Sequence, residues 1–72
     1  MDIQHIVRMA NQIGSYFAAY PDVELARQEI AGHLRRFWEP RMRAAIRDHL
    51  ASAEAHGLSP LVAAAVRDLS NS

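Results

Sequence analysis

The sequence predicts an all-α fold, a small bundle of about four helices joined by short, proline-initiated turns. Apolar residues recur at three- and four-residue intervals along nearly the whole chain, and nothing alternates with the period of two that a half-buried strand needs. The three prolines stand in Tyr20-Pro21-Asp22, Glu39-Pro40 and Ser59-Pro60. A proline fits the first turn of a helix, where its missing N–H would be unpaired anyway. With 72 residues, the chain forms one small domain (1–72).

The first helix is expected from Asp2, a plausible N-cap, to about Ala19. Its apolar residues (Ile3, Ile6, Val7, Met9, Ala10, Ile13, Tyr16, Phe17, then Tyr20) fill a wider arc than one core-facing stripe requires. Gly14 lies inside that arc. A glycine costs about 1 kcal/mol against alanine within a helix, so a close helix approach is expected there. The second helix opens at Pro21-Asp22 and runs to about Trp38, with Val23, Ala26, Ile30, Leu34 and Phe37 as its stripe. Phe37 is expected in the core and Trp38 shared between core and partner. Leu25 and Gly32 leave a small apolar notch among charges on the other side. The third helix begins at Pro40, buries Met42, Ala45, Ile46, Leu50 and Ala53, places His49 mid-stripe, and stops at His56-Gly57 with glycine left-handed. Ser59 caps the fourth, which turns Leu58, Leu61, Val62, Ala65, Val66 and Leu69 to one side. Ser70-Asn71-Ser72 should fray.

Composition narrows the function. A chain this short hides only about 60% of its unfolded surface. It has no cysteine to staple it, which points to a reducing, cytoplasmic setting and to a subunit of something larger. Zero formal charge gives no general attraction to nucleic acid or anionic lipid. The N-terminus lacks signal-peptide character, and the longest apolar run, 61–66, is too short to span a bilayer. All eight basic residues are arginine. A GC-rich genome accounts for this, as does selection for bidentate contacts at an interface.

The densest segment is His33-Leu34-Arg35-Arg36-Phe37-Trp38-Glu39-Pro40-Arg41-Met42-Arg43. Arginine and large aromatics are common binding anchors, and a proline pivot would hold them in fixed relation, lowering the ordering cost of binding. Arg35, Arg36, Phe37, Trp38, Pro40, Arg41, Met42 and Arg43 are therefore the expected partner-binding residues. Glu39 and Arg43 could form an i,i+4 pair.

Other chemistries fit less well. His49 and His56 could share a helix face, but no cysteine or suitably spaced carboxylate completes a zinc site. Asp48 and His49 point to different faces, and His5 and His33 have no evident partner. No catalytic, cofactor-binding or metal-ligating residue is expected. Arg35, Arg36, Arg41, Arg43 and Arg47 could meet phosphates, yet Glu39, Asp48 and Glu54 interrupt them and Pro40 breaks the surface of a recognition helix. The alternative for a charge cluster is a solvated face.

Four segments carry a family likeness: Met9-Ala10-Asn11-Gln12-Ile13-Gly14, Tyr20-Pro21-Asp22, Ile30 to Arg43, and Gly57-Leu58-Ser59-Pro60. In this order, over almost the whole chain, they resemble the delta subunit of soluble, molybdenum-containing, NAD-dependent formate dehydrogenases. The resemblance implies a cytoplasmic accessory subunit without a cofactor of its own, which stabilises or helps assemble the enzyme. Its partner would be the alpha subunit that holds the molybdenum cofactor, with no nucleic acid or membrane involved. A transient factor for cofactor insertion and maturation is the alternative, and a small nucleic-acid-binding regulator a more distant one.

Overall fold

The computed structural model describes residues 2–69, and these form four helices: α1 (Ile3–Phe17), α2 (Val23–Phe37), α3 (Pro40–Ser52) and α4 (Pro60–Leu69). The Ser70-Asn71-Ser72 end lies outside the described residues. Short polar side chains fix three of the helix starts. Asp2 accepts the Gln4 N–H at 3.0 Å, Asp22 accepts those of Glu24 and Leu25 at 2.9 and 3.3 Å, and Ser59 Oγ accepts that of Val62 at 3.3 Å. Each satisfies N–H groups that have no partner within the helix. α3 instead starts on Pro40 with no side-chain cap. Pro21 lies two residues before α2, so Asp22 and not the proline sets that start.

α4 is the centre of the bundle. Val62, Ala63, Ala65, Val66 and Leu69 are buried among Ile6, Val7 and Ala10 of α1, Ile30, Ala31 and Leu34 of α2, and Ile46 of α3. The small residues of α4 let three neighbours close around it. The radius of gyration, 11.1 Å, matches the roughly 11 Å expected for a well-packed domain of this length. Gly14 has the expected close neighbour: a Cβ added there would stand 2.3 Å from Val62 Cγ2.

The connection between α3 and α4 differs from expectation. α3 ends at Ser52, with Ala53 already extended, so His56-Gly57 is not its C-terminal stop. Gly57 does take the left-handed conformation, at φ +78°, but inside the loop that leads to α4. That loop is held by side chains. Asn11 donates to the Gly57 carbonyl at 2.9 Å and accepts the Ser59 N–H at 3.0 Å, while His56 Nδ1 accepts the Leu58 N–H at 3.0 Å. His49 Nε2 stands 2.9 Å from the His56 carbonyl, so that nitrogen carries the proton. His49 and His56 are thus joined as loop fasteners. Asn11 and Gly14 near the chain start meet Gly57, Ser59 and Val62 near its end, which gives those two segments a shared structural role.

Candidate functional site

The elbow between α2 and α3 is built as a pivot, but with its two aromatics exchanged. Phe37, expected in the core, is 65% exposed; Trp38, expected to be shared between core and partner, is 6% exposed and packs in the core cluster. The buried row on α2 is Ala26, Ile30 and Leu34 with Ala31 beside it, while Val23 and Phe37 fall on the outer flank. Trp38 is the C-cap, with extended backbone (φ −89°, ψ 140°). Leaving the helix there swings its indole inward.

Two of the expected contact arginines serve the chain itself. Arg43 Nη1 donates to the carbonyls of Trp38 at 2.6 Å and Arg35 at 3.1 Å, bridging the start of α3 to the unpaired carbonyl end of α2. Its guanidinium is engaged there and forms no ion pair with Glu39. Arg35 donates to the Asp68 carbonyl at 3.1 Å, near the end of α4, where a cation complements the helix dipole. Arg27, from the same helix, pairs with Asp68 Oδ2 at 2.9 Å and with Glu24. Arg36, Pro40 and Arg41 are exposed, and Met42 is half-buried against the core. Of the segment singled out in the sequence, Arg35, Arg36, Phe37, Glu39, Pro40 and Arg41 are exposed, and among the arginines there Arg36 and Arg41 are not tied to a backbone carbonyl.

This face continues into a row of rings that sequence reasoning missed. Tyr16 and Phe17 lie 5.0 Å apart, Phe17 and Tyr20 5.4 Å, Phe17 and His33 6.4 Å, and His33 and Phe37 4.8 Å between centroids. All fall within the range of favourable aromatic pairs. The Arg36 guanidinium stands 6.0 Å from the Phe37 centroid, at the outer reach of a cation–π contact. His33, for which the sequence offered no partner, is the link between α1 and α2 in this row. Its i,i+4 spacing to Phe37 was the available signal. Tyr16 is 72% exposed, so both ends of the row face water.

Beside the rings lies an open hollow of about 330 Å³, lined by Phe17, Gln28, Glu29, Gly32, His33, Arg36 and Phe37. A Cβ added to Gly32 would meet nothing within 4 Å. The glycine therefore lowers helix stability by about 1 kcal/mol and relieves no contact inside the chain. The exposed lining of the hollow is more polar than apolar, with Gln28, Glu29, His33 and Arg36 beside the two phenylalanine rings.

No curated protein and no solved structure matches the chain. The family model described as NADH-dependent formate dehydrogenase delta subunit (FdsD) matches residues 5–66, a span that includes all four helices except the ends of α1 and α4. It takes in the Asn11, Gly14 and Gly57-to-Pro60 fastening, the elbow and the row of rings. The chain belongs to the family of NADH-dependent formate dehydrogenase delta subunits.

Proposed function

We propose that this chain is a non-catalytic accessory subunit that stabilises or helps assemble a cytoplasmic, NAD-dependent molybdenum formate dehydrogenase. It sits on the alpha, molybdenum-cofactor subunit through the ring row and the outer arginines. The observation that supports this most is the 65% exposure of Phe37, tilted against His33 and flanked by Arg36, at one end of a ring row whose other end, Tyr16, is also exposed. An aromatic with an adjacent guanidinium offers rigid area and charge at low ordering cost. Arg41 and Pro40 extend the contact across the elbow. Trp38, Arg35 and Arg43 support it from behind, and Met42 packs beneath. The non-catalytic reading rests on residue chemistry: the chain has no cysteine, and its hydroxyls, histidines and carboxylates are scattered or engaged in caps and loop bonds.

The test is affinity purification of the enzyme complex with Phe37→Ala, and separately with Arg36→Glu combined with Arg41→Glu, in this chain. Both variants should remain helical by circular dichroism and be depleted from the complex. Full retention of both would overturn the surface. The unaltered chain should be present at one copy per catalytic subunit; only a trace in the active enzyme would favour a transient maturation factor.

A further inference from the structure

Three arginines of the described residues are half-buried: Arg27, Arg43 and Arg47. Arg27 pairs with Asp68 and Glu24, and Arg43 donates to two backbone carbonyls. Arg47 has no ion pair or hydrogen bond among the described residues. It lines a hollow of about 160 Å³ between α3 and α4, with the exposed and likewise unpaired Arg67 as the other charged wall and Leu50, Ala51 and Val66 as apolar lining. No carboxylate lines this hollow. Asp68, next to Arg67 in the chain, is held by Arg27. Arg43 stands one turn before Arg47 on α3, at a spacing where like charges repel. A partly desolvated cation is costly until an acceptor meets it, and the guanidinium fork fits a carboxylate.

We propose that this hollow receives the acidic side chain of a glutamate or aspartate from a polypeptide partner within the complex. Its carboxylate lies between Arg47 and Arg67, and its methylene stem rests on Leu50, Ala51 and Val66. That apolar lining suits a carboxylate carried on an aliphatic stem, whereas a bare phosphate has nothing to lay against it. The volume is also below the roughly 300–1,000 Å³ of sites that enclose a small-molecule ligand. The contact shares no residue and no helix with the ring row. It rests on the docking reading only in that the partner belongs to the same enzyme.

The experiment measures affinity of the full chain for formate dehydrogenase prepared without it, over a range of salt, with circular dichroism confirming that each variant is helical. Arg47→Gln combined with Arg67→Gln should bind roughly tenfold more weakly, and its affinity should fall less steeply with salt. Arg47→Glu combined with Arg67→Glu should bind more weakly still. Arg8→Gln, which changes an exposed arginine of α1 outside the hollow, should bind as the unaltered chain does. Unaltered affinity in both arginine pairs would overturn the acidic contact, and so would an equal loss in Arg8→Gln, which would reduce the effect to diffuse charge. Phenylglyoxal should modify Arg47 and Arg67 in the free chain and spare them in the complex. If millimolar inorganic phosphate protects both in the free chain as fully as the enzyme does, the site takes free anions and the acidic-peptide inference is overturned. Phe37→Ala separates the two surfaces. If it releases the chain while the arginine pairs change nothing, only the acidic contact fails; if the arginine pairs weaken binding and Phe37→Ala does not, the ring row fails and the acidic contact stands.

Discussion

Exchanging the roles of Phe37 and Trp38 has a measurable consequence for stability. A domain of 72 residues is expected to be stable by about 4–11 kcal/mol. Trp38 is 6% exposed and lies in the main core cluster. Truncating a buried tryptophan to alanine removes about 3–5 kcal/mol, much of what the chain has. Phe37 keeps only about a third of its surface covered. A fully buried phenylalanine contributes about 1.5–3 kcal/mol, so Phe37→Ala should cost only about 0.5–1 kcal/mol. Urea denaturation followed by far-ultraviolet circular dichroism separates the two. At a slope of about 1 kcal/mol per molar, Trp38→Ala should lower the midpoint by about 3 M or leave the chain unfolded in water. Phe37→Ala should lower it by about 1 M or less. Equal losses for both, or a larger loss for Phe37→Ala, would refute the assignment of the indole to the core and the phenyl ring to the surface.

Other perturbations probe the supports of that surface. Gly14→Ala should destabilise by about 1–3 kcal/mol in the same assay, because the new Cβ would overlap Val62 Cγ2; a neutral result would mean α1 and α4 are farther apart. Asn11→Ala removes both hydrogen bonds that tie the 57–59 loop to α1. It should cost about 1–2 kcal/mol and speed amide exchange at Ser59. Arg43→Met, which frees the carbonyls of Trp38 and Arg35, should cost about 1.5–3 kcal/mol, whereas Arg41→Met should stay within about 0.5 kcal/mol. Matching losses for the two arginines would contradict the elbow lock.

Helix number and most helix starts were legible because Asp2, Pro40 and Ser59 act locally, through caps and a fixed φ; at α2 the start was given to Pro21, while the Asp22 side chain sets it. The glycine at position 14 was legible too, since its cost had no local return. What the sequence could not show came from backbone leaving the helix. Counting at 100° per residue past Leu34 puts Phe37 inward, but that count is blind to the extended turn at Trp38 that inserts the indole. The end of α3 was set too late for a related reason: the left-handed Gly57 was read as a stop, while Ala53 had already turned extended. Within the candidate site, Arg36, Phe37, Pro40 and Arg41 were in the expected segment and lie outward. That the guanidinium groups of Arg35 and Arg43 also reach backbone carbonyls was not legible, because only the folded chain brings those carbonyls near. The joining of Phe17 to His33 across two helices is a tertiary contact with no local signature.

The central claim is that the ring row of α1 and α2 is covered in the assembled enzyme, and hydroxyl-radical footprinting of the free chain and of the intact complex tests it most directly. Tyr16 and Phe37 should be labelled readily in the free chain and strongly protected in the complex, with Trp38 slow in both. Equal labelling of Tyr16 and Phe37 in the two states would contradict the account.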